Sequence, residues 1–347
     1  MQKVSKNFKK GFSLIEISIV LLIIGILISG ILVGQDLILD AKIKSAQNLT
    51  RTSPVNKITD LTLWLDVNAE KSLISTATAD RCLSKYMSYQ DLLGNETICA
   101  WRDINSQKSL GTNMSDKIAL SINTAHAINA MPTYVINGIG GLPSLYFDGS
   151  DYLISSIPQS NDVANTIFNV DLYSLLSSSE VSFFIVQQSE GTTANTLFHH
   201  SSGSFSVLNN REGTSPNFSY SPKINFDTDS SILTTPTTNP VASPQIISFV
   251  RENNFASLYI NSTMQKITST ATSSLTNSSG PISVGASIAT IPTGTPPATT
   301  TTSSATADTF FTGKISEIIV FNRKISERER VQVENYLLQK YKIKKLN

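Results

Sequence analysis

The chain has 347 residues, with 27 Lys and Arg against 26 Asp and Glu, so its formal net charge is +1. That balance excludes a basic nucleic-acid binder and an acidic tail protein. Charged residues make up only 15% of the chain, and the abundance of Ser, Thr and Asn suits an extracytoplasmic, β-rich domain with polar loops.

The N-terminus carries Lys3, Lys6, Lys9 and Lys10, then Gly11, then an apolar run from Phe12 to Val33. A membrane-spanning helix needs roughly 20 mostly apolar residues, which this run supplies. The basic leader favours a cytoplasmic N-terminus. Glu16 is the only ionisable side chain in the run. A carboxylate in hydrocarbon needs a partner, and the helix itself offers none nearby. Beyond Gly34 the helical spacing continues through Leu37, Ile43 and Ala46, with Asp40 and Lys44 as an i,i+4 pair of the favoured orientation. The helix is expected to end near Asn48, followed by a linker over 49–60 that contains Pro54.

The order Lys9-Lys10-Gly11-Phe12-Ser13-Leu14-Ile15-Glu16 resembles the N-terminal segment of the type IV pilin and pseudopilin family. In that family a prepilin peptidase cuts after the glycine and N-methylates the new first residue. The resemblance implies a leader at 1–11, cleavage between Gly11 and Phe12, and an assembly helix over 12–48. It also implies that Glu16 pairs with the N-terminal amine on Phe12 of a neighbouring subunit. Each charge then offsets the other's desolvation only when subunits assemble in register. The implied location is the inner membrane, single-pass, with the N-terminus in the cytoplasm and the head in the periplasm, then a filament or the cell surface after assembly. Implied partners are the membrane, other pilin or pseudopilin subunits and the prepilin peptidase. The competing readings are an uncleaved anchor or a secretory signal peptide cut near Gly30 to Gly34.

The remainder, 61–347, is large enough for one β-domain with a substantial core. Strand-like stretches begin at Leu61-Thr62-Leu63-Trp64-Leu65-Asp66. They recur at 145–147, 181–186, 204–207, 246–250, 255–260, 282–285 and 315–321. Turn-rich pieces such as Asp148-Gly149-Ser150-Asp151 separate them. The stretches Thr234 to Pro244 and Ser269 to Asp308 are poor in apolar residues and read as long surface loops. Ser326-Glu327-Arg328-Glu329 is a capping box that opens a helix over 326–343. Val333, Leu337 and Tyr341 lie on one face of it, while Lys340, Lys342, Lys344 and Lys345 crowd its C-terminal end.

Leu63-Trp64-Leu65-Asp66, Tyr146-Phe147-Asp148-Gly149-Ser150-Asp151-Tyr152, Leu258-Tyr259-Ile260-Asn261 and the segment from Phe311 to Arg323 together resemble laminin-G-like, concanavalin-type jelly-roll domains. Ser262 stands where that family's hairpin has Gly. The expected fold is mainly β: a long N-terminal transmembrane helix, then an antiparallel β-sandwich with a C-terminal helix. In such domains the concave face or loop rim often binds glycans or proteins, sometimes with calcium.

Cys82 and Cys99 are the only cysteines. In an oxidising compartment they are expected to form a disulfide closing about 17 residues, worth about 3 kcal/mol in the loop-entropy picture. Enzyme chemistry finds little support. The Glu-x-Asp-x-x-Glu pattern of glycosidases on this fold is absent, and Glu317 reads as a lone structural residue at a strand surface. His199 and His200 point to opposite faces of a strand, and His126 is far off in sequence. Asp148 and Asp151 read first as an Asx turn, with calcium ligation as the alternative. Trp64 and Trp101 read as core. The expectation is a minor pilin-like subunit whose head serves adhesion or recognition. The alternatives are a pseudopilin of a secretion or DNA-uptake machine and, disfavoured, a membrane-anchored carbohydrate-active enzyme.

Overall fold

The structure, a computed structural model, describes residues 13–78, 81–82, 87, 91–92, 94–107, 118–121, 131–155, 180–191, 195–200, 205–212, 219–226, 233–234, 243–253, 255–269, 282–288 and 307–346. The chain divides into two compact units, Met1–Ser45 and Ala46–Asn347.

A single helix, α1 (Leu14–Thr52), begins in the first unit and ends in the second. It runs past the expected end near Asn48, and part of the expected linker is a 3-10 turn at Val55–Lys57. The extension follows from burial. Ala46 and Thr50, one turn apart, are both buried in the second unit, and tertiary packing of that face outweighs the low helix propensity of Thr. The Asp40–Lys44 pair forms as expected, at 2.7 Å.

The second unit is mainly antiparallel β. Its strands among the described residues are β1 (Leu61–Asp66), β2 (Leu73–Thr78), β3 (Arg81–Cys82), β4 (Ile98–Arg102), β5 (Ile118–Ser121), β6 (Thr133–Val135), β7 (Ser144–Asp148), β8 (Leu153–Ile154), β9 (Glu180–Ser189) and β10 (Asn195–His200). They continue as β11 (Phe205–Glu212), β12 (Ser219–Phe226), β13 (Leu233–Thr234), β14 (Gln245–Glu252), β15 (Phe255–Ile260), β16 (Thr263–Ser269), β17 (Ile282–Val284), β18 (Ser287–Ile288), β19 (Ala307–Asp308) and β20 (Thr312–Phe321). A C-terminal helix, α2 (Glu327–Tyr341), follows. One sheet runs β16-β15-β14-β9-β20-β7-β6, with β1 also on β20; the other runs β13-β12-β11-β10-β17-β8-β5-β4-β2-β3. Every strand stretch expected from the sequence overlaps one of these strands, although Ser204 lies outside the described residues and Gly285 falls just past β17. Strands β2 to β6 were not among the expected stretches; β3, of two residues, is too short to carry any period. Most of the two low-complexity stretches lies outside the described residues.

Two apolar clusters explain why β9 and β20 read as unbroken hydrophobic runs. Leu63, Leu65, Phe183, Ile185, Phe249, Ile318 and Val320 meet Trp101, Phe198, Val207 and Val284 of the opposite sheet. The alternate residues Trp64, Phe184, Val186, Ile319 and Phe321 face the other way. They pack with Ala46 of α1, Val55, Ile58, and Val333, Tyr336, Leu337 and Tyr341 of α2. The central strands are therefore buried on both faces, which replaces polar alternation with continuous Val, Ile and Phe. The architecture of this unit is a two-sheet sandwich with a helical layer on one sheet.

Two local devices hold that layer. Ser326 Oγ accepts from Glu329 N, while Glu329 Oε2 accepts from Ser326 N at 2.7 Å, so the expected capping box is complete. Arg323 reinforces it, donating to both Glu329 oxygens and to Thr59 O. At the other end, the 3-10 turn at Ile139–Gly141 packs against the end of α2. A Cβ on Gly140 (φ +66°) would come within 2.2 Å of Tyr341 O.

Candidate functional site

The first unit holds the segment expected from the sequence to drive assembly. Gly11 and Phe12 lie outside the described residues. Ser13 precedes the first turn of α1, and its backbone N–H donates to Glu16 Oε2 at 2.8 Å. Ser13-Leu14-Ile15-Glu16 therefore has half of a capping box. This corrects the expectation that the helix offers Glu16 no partner: a backbone N–H that no helix turn can satisfy is available three residues before it. The N–H is neutral, so it satisfies a lone pair without neutralising the charge. Around the rest of this segment every Leu, Ile and Val from Leu14 to Ile28 is exposed. A Cβ placed on Gly25 or Gly34 would meet nothing within 4 Å. Among the described residues no helix is long and apolar enough to cross a membrane. In the sequence the apolar run continues through Ile31, Leu32 and Val33, whose side chains lie outside the described residues.

In the second unit the most charged construction is buried. Glu317, expected at a strand surface, faces the helical layer and is fully shielded from water. A register irregularity between Ile315 and Glu317 in the β20–β9 pairing leaves Glu317, Ile319 and Phe321 on one face. Glu317 Oε1 accepts from Trp64 Nε1 and from Tyr336 Oη, each at 2.8 Å. Its Oε2 accepts from Lys340 Nζ at 2.7 Å and from Tyr341 Oη at 2.9 Å. Lys340 also donates to Asp66 Oδ2 at 2.6 Å and to Thr50 Oγ1 at 2.8 Å. Burial drives the Glu317 carboxyl above the ordinary glutamate range, against the opposing pull of Lys340. Burial likewise raises the Tyr336 and Tyr341 hydroxyls, with Glu317 adding to it. These groups are buried, and the cluster ties β1, β20, α2 and the end of α1 together. The sequence held one signal for it. Lys340 falls three residues after Leu337 and four after Tyr336, on the apolar face of α2 and apart from the exposed lysines that follow.

A second buried pair holds α2 to the β15–β16 hairpin. Arg330 bonds Glu334, and its guanidinium lies 3.7 Å from the Tyr259 ring centroid. Ser262 Oγ donates to Glu334 Oε2 at 2.8 Å. Asn261 and Ser262 both have positive φ, +46° and +65°, the signature of a type I′ turn. Serine in place of the expected glycine accepts backbone strain and gains a bond to α2.

Of the other singled-out residues, Asp148 forms the expected Asx turn, accepting from Ser150 N at 2.8 Å. Asp151 is buried, accepts from Asp148 N at 2.9 Å, and is pushed up to about 7 by burial. His200 is buried and lowered to about 4, by burial and by neighbouring His199; His126 lies outside the described residues. Among the described residues no three His, Cys, Asp or Glu side chains group to hold a metal. Trp64 and Trp101 are core, as expected. Thr76 of β2 pairs with Cys82, and Ser75 with Ile98, next to buried Cys99. The Cys82 side chain lies outside the described residues.

Residues 6–32 match the family model described as the prokaryotic N-terminal methylation motif. No curated protein matches the chain. Among solved structures, domain 4 of AbnA, a GH43 extracellular arabinanase from Geobacillus stearothermophilus solved with arabinotriose, is similar at 15% identity and a TM-score of 0.39. The match covers 59% of this chain and 80% of that one. The native heptameric SAP-like pentraxin of Limulus polyphemus is similar at 9% identity and a TM-score of 0.38, over 57% and 81%. The CBM40 of a Ruminococcus gnavus IT-sialidase, bound to α2,3-sialyllactose, matches at 13% identity and 0.34, over 46% and 85%. Likeness at this level says nothing of what the head binds.

Proposed function

We propose that this chain, which carries the type IV pilin N-terminal methylation motif at residues 6–32, is a minor pilin-like subunit presenting a β-sandwich head for recognition. It is cleaved after Gly11, methylated on Phe12, anchored in the inner membrane by α1, and drawn from there into a filament. The observation that carries this reading is the conjunction of that motif with a helix whose apolar side chains are exposed on every side. So much contiguous apolar surface demands lipid or other apolar helices. Glu16 accepts from a neutral N–H, which leaves a methylated amine from a neighbouring subunit as the cation that would pair with it. The minor role rests on bulk: the unit that follows Ser45 runs to Asn347, a large load for dense helical packing. Recognition, without catalysis, is the head's task, its ligand being a glycan or a protein.

N-terminal mass spectrometry of the protein from its native envelope tests the pathway. A mature chain beginning at methylated Phe12 is expected; a chain starting at Met1, or cut near Gly30 to Gly34, would overturn it. Glu16→Ala is expected to insert normally but fail to enter filaments, and normal incorporation would remove the pairing argument. Recovery with secretion components in place of surface filaments would assign it to a pseudopilus. Turnover of a glycan panel would refute the non-enzymatic reading.

A further inference from the structure

The buried cluster around Lys340 does not balance as drawn. Lys340 contributes one positive charge, Asp66 and Glu317 one negative charge each, and all three side chains are fully shielded. Among the described residues no other charged group bonds to them. An uncompensated buried charge is expensive, and proteins commonly neutralise it by moving a proton.

The hydrogens are short as well. An ammonium has three N–H bonds, yet Lys340 Nζ has four oxygen neighbours: Asp66 Oδ2 at 2.6 Å, Glu317 Oε2 at 2.7 Å, Thr50 Oγ1 at 2.8 Å and Tyr336 Oη at 3.1 Å. With both carboxylates ionised, Tyr336 donates to Glu317 Oε1 and Thr50 donates to Asp66 Oδ2, each at 2.8 Å. No hydroxyl hydrogen then remains for the contact of 3.1 Å between Thr50 Oγ1 and Tyr336 Oη. One added proton supplies the missing Thr50–Tyr336 link; Lys340 still shares three hydrogens among four neighbours, and Thr50 Oγ1 also lies 3.1 Å from Ala46 O. The added proton sits on Glu317 Oε1, which donates to Tyr336; Tyr336 donates to Thr50, and Thr50 to Asp66. The same chain runs in reverse with the proton on Asp66.

We propose that this cluster holds one proton beyond its ionised complement, shared along the path Glu317–Tyr336–Thr50–Asp66, and that the proton completes a latch fixing the last turn of α1 to α2. Thr50 is the α1 side chain on that path; Lys340 and Asp66 hold it in either state, and the proton adds a further link from Thr50 to Tyr336 of α2. The groups facing the path are Lys340, Tyr336 and Tyr341 from α2, Asp66 and the Trp64 N–H from β1, and Glu317 from β20. The upward displacement of Glu317 by burial agrees with the proton count. Its sign follows: a carboxyl raised in the folded state binds its proton more tightly there. The latch is therefore firmest in acid and loosens as pH rises through the folded value.

The test is infrared spectroscopy of the full-length protein in detergent at neutral pH, as differences between wild type and Glu317→Gln and between wild type and Asp66→Asn. A carboxylic-acid C=O band is expected in at least one difference; Asp151 is common to all three proteins and cancels. Absence of the band from both differences overturns the proposal. Hydrogen exchange of the wild type needs no variant to fold. Protection of amides 46–52, corrected for intrinsic rates, is expected to fall by up to about tenfold per pH unit above the folded value, the slope of one proton. Protection that stays level from mildly acid pH up to the alkaline limit of the folded state would overturn the latch. Glu317→Gln, which carries the hydrogen permanently, is expected to hold level protection across the same range.

Discussion

From Leu14 to Ile28 the first unit leaves every Leu, Ile and Val exposed, while the second unit buries Lys340, Asp66 and Glu317 completely. Each is the reverse of what a soluble surface and a dry core ordinarily hold. The exposed apolar helix is incomplete by itself and calls for an outside partner. The buried charges are complete within their unit, because four elements supply donors and acceptors at hydrogen-bond distance. An apolar side chain can be matched by any apolar neighbour, whereas a buried charge must be matched by particular atoms. The first unit leaves its apolar surface to be covered from outside, as the proposed assembly would do, and the second is closed by its own folding.

The largest effect on that contrast is expected from Lys340→Met. It removes the only cation among the described residues that faces the two buried carboxylates, and breaking such a pair from one side costs about 3–5 kcal/mol. Urea unfolding of the full chain, followed by tryptophan fluorescence, should show it, since Trp64 lies in the cluster itself. A loss below 1 kcal/mol would mean the charges are not structural. Reduction of the proposed Cys82–Cys99 disulfide comes next, at about 3 kcal/mol; alkylation before and after reduction establishes whether the bond is there to lose. Asp151→Asn is smaller and is read from pH. Its carboxyl, at about 7 in the folded state, contributes stability that is fully present below the ordinary Asp value and lost as pH rises through 7. Asparagine should flatten the part of the stability profile between about pH 5 and pH 8 that Asp151 supplies; an unchanged slope would refute the assignment. Ser326→Ala is smallest, about 1 kcal/mol for a lost N-cap. It should shift the α2 amides alone and leave the exposed segment of α1 untouched.

The elements legible before folding were those whose signal is local and long. The capping box at Ser326, the Asp40–Lys44 pair and the β9 and β20 runs each draw their pattern from neighbours within a few residues. The N-terminal motif is legible for the same reason, since its glycine, aromatic, apolar run and carboxylate are adjacent. Short strands such as β3 and β8 escaped because two residues have no period. Glu317 and Lys340 were misplaced for a different reason. Each was read against its own strand or helix end, where a lone Glu suggests surface and one lysine among four suggests cations suited to the helix dipole.

By itself the sequence determined the order of the parts: a basic leader, an apolar helix with one carboxylate, a mainly β domain and a capped final helix. Those follow from composition and period, which chain neighbours carry. Only the tertiary structure decided which charges are dry, why α1 runs on to Thr52, and that Ser262 reaches Glu334 across a strained turn. Thr50 and Asp66 are separated from Glu317 and Lys340 by most of the domain's length and meet them only when sheet and helices have packed, so no local pattern could announce the cluster.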